Sequence, residues 1–252
     1  MHDPVLVGVA LDDRDSGPIA LGIALAGLAG GQIALVHAYP YDRTRIPLPE
    51  YEATLREEAS AGLEQLAAAL PEQIEVTLHS YASHSPAQAL HAAADILHPL
   101  AIVVGSTHRG AIGHVLPGGV GERLLHGAPC PVAIAPRGYA ADPAELARIG
   151  VAFDDAPEAH GALAAAVELA QATGAELYTY TVSEPIETSP AALGYAAGWS
   201  LPPDYGATRR ERAEQQVAAA RARVPAEVLA EAKMIEGHPA AALAEASSEL
   251  DM

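Results

Sequence analysis

The chain has 252 residues, 50% of them hydrophobic but only 4% aromatic, and 14 basic against 32 acidic side chains give a formal net charge of −18. That length suits two ordinary domains, or one large one, with cores of Ala, Leu, Val and Ile; the acidity repels phosphodiester backbones and anionic headgroups, so neither nucleic acid nor a membrane is an expected partner. The single cysteine, Cys130, excludes an intrachain disulfide and a multi-cysteine zinc site and fits a reducing compartment.

Met1-His2-Asp3-Pro4 has no basic region, so no signal peptide is visible and a cytoplasmic location is expected. A continuous apolar run predicts a strand over 5–11, closing on Asp12. A helix over 17–29 follows, stopped by Gly30-Gly31, and then a strand over 32–38. The stretch from Gly17 to Ala38 contains no Asp, Glu, Lys or Arg and approaches the length of a membrane span. Its glycine break and the lack of a flanking basic cluster make it a buried helix and strand instead. From Tyr39 to Tyr51 the chain is a proline-containing loop whose Arg43 and Arg45 either meet a phosphate over a pocket or are solvated. A helix over 50–69, a strand over 74–80, a helix over 86–97 and a strand over 101–105 come next.

The run Ile102 to Gly110, answered by Leu116 to Leu125, reads as a buried strand, a glycine-rich loop and a helix start. Backbone N–H groups exposed after such a loop can hold a phosphate, although glycine also serves merely to turn strand into helix. A helix over 119–126 and a strand over 131–135 complete the pattern. Regular alternation of this kind implies an α/β fold with a doubly wound parallel sheet covered on both faces. Ligands in such sheets gather beyond the carboxyl ends of the strands, where strand order reverses, which makes Asp12 and Gly105 neighbours.

The chain then repeats itself. Gly8-Val9-Ala10-Leu11-Asp12-Asp13 returns as Gly150-Val151-Ala152-Phe153-Asp154-Asp155, and Ser85-Pro86-Ala87 is echoed by His238-Pro239-Ala240. Two copies of one domain are the simplest account: 1–137, a linker over 138–146, and 147–252. Asp154 then stands for Asp12, and Val182, closing the strand Glu176 to Val182, for Ala38. The sequence ends where strand four of the second copy should begin, so this copy is expected to lack the glycine loop and last strands. Its open edge calls for cover, from further chain or from a partner. Ser183 to Arg209, with Pro185, Pro190, Gly194, Trp199 and Pro202-Pro203, is too rich in turn residues for a helix and reads as a flap, a dimer contact or an ordered surface loop.

No Gly-x-Ser-x-Gly elbow, His-Glu-x-x-His or Walker lysine loop occurs, so no enzyme is indicated. His84, His91 and His98 recur every seven residues, too long a rise for two ligands on one ion, and no metal site is expected from them. His108 and His114 share the glycine loop and suit an anion better. Asp12-Asp13 and Asp154-Asp155 are able to hold Mg²⁺ beside phosphates, or else serve as a strand end followed by a helix N-cap. Cys130, between two prolines, reads as a buried inert thiol.

With Asp12 closing strand one, His37-Ala38 closing strand two, the glycine loop, and Glu122-Arg123-Leu124-Leu125-His126-Gly127-Ala128-Pro129-Cys130-Pro131-Val132, the chain resembles a tandem universal stress protein. The resemblance implies a Rossmann-like five-stranded sheet in order 3-2-1-4-5 in each copy, a stress-response role, a homodimer formed through the last strand, and in one branch ATP binding by a G-x-x-G, nine-residue, G-S/T pattern. On this sequence that pattern falls on Gly105, with His108 at the second glycine, then Gly118, with Gly119 in place of the hydroxyl residue. The resemblance also carries over Asp12 toward the ribose, the Ala38 backbone toward adenine, the Val120 N–H toward phosphate, and Val104 with Gly105 beside the nucleotide; Asp154 and Val182 follow by the repeat. A histidine at 108 and the missing hydroxyl at 119 weaken the phosphate side. Three functions remain: a regulator binding ATP, AMP or another adenine nucleotide with or without Mg²⁺ in at least one half, a dimerising interaction module that binds no nucleotide, and, more distantly, a slow ATP hydrolase.

Overall fold

A computed structural model describes residues 3–12, 14–42, 48–106, 119–136, 138–139, 146–184 and 205–250. The chain forms two compact units, residues 1–145 and 146–252.

In the first unit the elements are β1 (Val5–Val9), α1 (Ser16–Ala29), β2 (Gln32–Tyr39), α2 (Pro49–Ala68), β3 (Glu75–Ala82), α3 (Pro86–Leu97), β4 (Ala101–Gly105), α4 (Gly119–Leu125) and β5 (Val132–Ala135). Every strand pair is parallel, in the order β3-β2-β1-β4-β5. Central strands of such a sheet are buried on both faces, which is why β1 and β4 read as unbroken apolar runs. Val5, Val7 and Val9 pack with Ile33, Leu35, Leu63 and Val103 beneath α1 and α2. Leu6, Val36, Ile102 and Val104 face the other way, against Leu90 and Ala93 of α3 and Leu124 of α4.

Local sequence explains the element ends. Gly30, at φ 104°, caps α1 in the left-handed region and donates to the Ala26 carbonyl, a conformation open to glycine. Ser85 accepts from the Gln88 N–H and Pro86 opens α3. No helix among the described residues is long and apolar enough to cross a membrane. The strand expected over 5–11 stops at Val9 because Leu11 adopts φ 63° and the N–H groups of Ala10 and Asp12 turn to the Asp15 carboxylate. Asp15 holds the N-cap position of the helix that follows, with no side-chain cap hydrogen bond, and Asp13, the N-cap in the reading without a metal, lies outside the described residues.

At Gly22, α1 touches the sheet. A Cβ there would lie 2.5 Å from Val7 Cγ2, and Val7 is fully buried on a stiff β-branched side chain. Gly22→Val is therefore expected to destabilise the first unit by about 1–3 kcal/mol, read as a lower urea midpoint at unchanged slope.

The second unit contains β6 (Arg148–Ala152), α5 (Pro157–Thr173), β7 (Glu176–Ser183), α6 (Tyr205–Arg223), β8 (Leu229–Glu236) and α7 (Pro239–Glu249), with a parallel sheet in the order β6-β7-β8. It repeats the first three strands of the first unit. Phe153, Leu163, Ala166, Leu177, Ala220 and Val224 form its core beneath α5 and α6. Two expectations are corrected here. The cap of α5 is Ala156, not Asp155. The segment Ser183 to Arg209 is not wholly irregular, because α6 begins at Tyr205. After Pro202-Pro203 the chain turns to good helix formers, and Ala213 and Ala220, two turns apart, supply the buried stripe that α6 needs. Pro185, Pro190, Gly194, Trp199 and Pro202-Pro203 lie outside the described residues, as do Arg43 and Arg45.

Candidate functional site

A cavity of about 350 Å³ opens at the carboxyl ends of β1, β2 and β4, within the size range of small-molecule sites. Gly8 and Ala10, Val36 and Ala38, and Val104 and Gly105 supply its sheet side; Leu90 of α3 and Val120 of α4 close it from above. Strand order reverses between β1 and β4, and the cavity lies at that point.

Polar groups gather at the β1–α1 turn. Asp15 is 3% exposed, and its carboxylate accepts from the N–H groups of Ala10 at 2.7 Å and Asp12 at 3.0 Å. A buried carboxylate with two backbone donors fixes the turn against the cavity wall. His37 Nδ1 donates to the Val9 carbonyl at 3.0 Å, tying β2 to β1 at the same rim. Asp12 accepts from the Arg14 Nε at 2.9 Å, from its Nη2 and from its backbone N–H at 2.9 Å. The Arg14 guanidinium hydrogen bond, against a smaller opposing effect of burial, holds the Asp12 carboxyl below its usual range.

Of the residues expected to form the site, Ala38, Val104, Gly105 and Val120 line this cavity together. Asp12 stands beside the Arg14 that lines it, with its carboxylate turned to that guanidinium. Gly119 begins α4 exposed, with open space where a Cβ would stand. His108, Gly118 and His114 lie outside the described residues. Sequence reasoning missed Asp15 and Arg14. A third acid one residue past a run of two, next to a lone base, was the available signal. Among the described residues no three His, Cys, Asp or Glu side chains gather as a metal site. Cys130 is half-buried, not fully buried as expected, and desolvation pushes its thiol up, away from the reactive thiolate.

The second unit differs at the matching place. Gly8 pairs with Val36 and its repeat Gly150 with Tyr178, so two residues further on Ala38 matches Tyr180. Val182, expected as the counterpart, lies two residues beyond and pairs with Ile235. Tyr180 is 3% exposed, its hydroxyl has no hydrogen-bond partner among the described residues, and Lys233 Nζ sits 5.6 Å from its ring centre. A ring therefore occupies the position that Ala38 leaves open in the first unit. Asp154 accepts from the Ala156 N–H at 3.1 Å and, through its carbonyl, from Gln216 Nε2 at 2.6 Å; it borders a separate hollow beside α6 with Arg212 and Gln215.

A doubly wound parallel domain with a cavity at its switch point, followed by a shorter copy of its first three strands, defines a tandem Rossmann-like α/β protein. The model of the universal stress protein family matches residues 1–136 and again 145–252. Among the solved structures that share the fold over 99% of this chain are two universal stress proteins. One is a universal stress protein from Archaeoglobus fulgidus DSM 4304, at 20% identity, with 82% of its own length covered and a TM-score of 0.65. The other is a universal stress protein from Pseudomonas aeruginosa UCBPP-PA14, at 18% identity, with 80% of its length covered and a TM-score of 0.61. The chain belongs to the universal stress protein family.

Proposed function

We propose that this protein is a cytoplasmic stress-response regulator that binds an adenine nucleotide in its first unit and acts through a homodimer or partner surface, without catalysis. The cavity between β1, β2 and β4 carries this reading, because it brings Ala38, Val104, Gly105 and Val120 to one switch-point pocket. The base would lie against the Ala38 backbone, the ribose would turn to Asp12, and the phosphates would extend along Gly105, Gly119 and Val120. Apolar walls with few polar groups suit a purine better than a wholly polar metabolite. Mg²⁺ would arrive with the phosphates.

One nucleotide per chain is expected, since Tyr180 fills the second unit's counterpart of the Ala38 position. Calorimetric titration of the full chain with ATP and AMP, with and without Mg²⁺, tests this. Ligand at about 100 times its Kd adds about 2.7 kcal/mol to the stability of the binding unit, a rise of several degrees in its melting temperature. No heat and no thermal shift at millimolar nucleotide would leave the interaction module as the function, and two sites per chain would refute the role given to Tyr180.

A further inference from the structure

Among the described residues around the cavity, Arg14 supplies the one guanidinium or ammonium group. Its backbone carbonyl lies 3.8 Å from where a Cβ on Gly105 would stand, so Arg14 sits on the side of the cavity where β4 ends. The chain as a whole carries −18, a field that opposes any polyanion approaching this site. Asp12 occupies the guanidinium through Nε at 2.9 Å and through Nη2. Both side chains remain open to water, at 57% for Arg14 and 36% for Asp12. An exposed pair of this kind contributes little net stability and exchanges readily.

Each member has a better partner in a nucleotide. A phosphate offers a guanidinium two parallel charge-assisted hydrogen bonds, and the two hydroxyls of a ribose offer a carboxylate two donors. We propose that the Asp12–Arg14 pair is an exchangeable latch: a phosphate-bearing adenine nucleotide takes Arg14, the released Asp12 takes the ribose, and Arg14 thereby selects nucleotide over nucleoside. This rests on the nucleotide reading above and assigns part of the phosphate contact to a side chain, where Gly119 offers no hydroxyl. Adenosine gains Asp12 only by breaking the Asp12–Arg14 pair and brings no phosphate to replace it, so the intact latch disfavours it.

Titration of ATP, AMP and adenosine into the wild type, Arg14→Gln and Arg14→Lys, at two salt concentrations, tests the latch. In Arg14→Gln, ATP and AMP are expected to weaken by about tenfold to a hundredfold while adenosine holds or tightens, and the salt dependence of ATP binding becomes shallower. Arg14→Lys keeps the charge but not the planar fork and falls between. If wild type and Arg14→Gln bind ATP and adenosine in the same ratio with the same salt dependence, the latch is wrong and the nucleotide reading stands. If the wild type binds neither ATP nor AMP, both fall.

Discussion

Asp15→Ala is expected to lower the stability of the first unit by about 2–4 kcal/mol, measured by urea unfolding. Asp15 is 3% exposed and accepts both the Ala10 and the Asp12 N–H, so truncation strands two backbone donors at once. It also removes the group that holds Leu11 in the left-handed region at φ 63°, a conformation costly for a branched side chain. Asp15→Asn separates shape from charge. Its amide keeps the volume and one acceptor oxygen but presents N–H to the second donor, so it should lose about half as much. Should Asp15→Ala unfold at the wild-type midpoint, the carboxylate does not hold the turn.

Ala38→Tyr is expected to weaken ATP or AMP binding by about a hundredfold, close to 2.7 kcal/mol, with little change in unfolding midpoint. The substitution places in the first unit the residue that the sheet register puts at the equivalent position of the second, where Tyr180 is buried. Ala38 is only half-buried and lines the cavity, so the added ring enters open space and leaves the core beneath undisturbed. Nucleotide affinity unchanged in this variant, by calorimetry, would move the base elsewhere and refute the assignment of this cavity. Together with the stoichiometry test, it asks the same question of both units from opposite sides.

Much of the architecture was legible in one dimension. Continuous apolar runs at β1, β2 and β4, Gly30 after α1 and Pro86 at the start of α3 are local signals, and local backbone preferences act on them directly. The internal repeat announced a second set of strands and helices, and their order in the sheet came only from the family resemblance. Less legible was which residue stands where. Val182 and Tyr180 differ by two positions, and a strand repeats its facing every two residues, so both point to the same face. The pairing of Gly150 with Tyr178 separates them, and that pairing is made by hydrogen bonds between strands remote in sequence.

The β1–α1 turn shows the same limit. Asp12, Asp13 and Asp15 lie within four residues and any of them could cap a helix or face a ligand. Their division of labour follows from the reversal at Leu11, which aims two N–H groups at Asp15 and leaves Asp12 beside Arg14.

Periodicity and the repeat by themselves determined the alternation of strand and helix and the two-copy plan, and the motif run Glu122 to Val132 carried the resemblance to the family, because each depends on neighbours along the chain. The tertiary structure alone decided the strand register, the role of Asp15, the Asp12–Arg14 pair and the contrast between Ala38 and Tyr180. The register and the Ala38–Tyr180 contrast depend on where separate strands meet, which the packing of a sheet between two helical layers fixes, while Asp15 and the Asp12–Arg14 pair depend on the backbone reversal at Leu11.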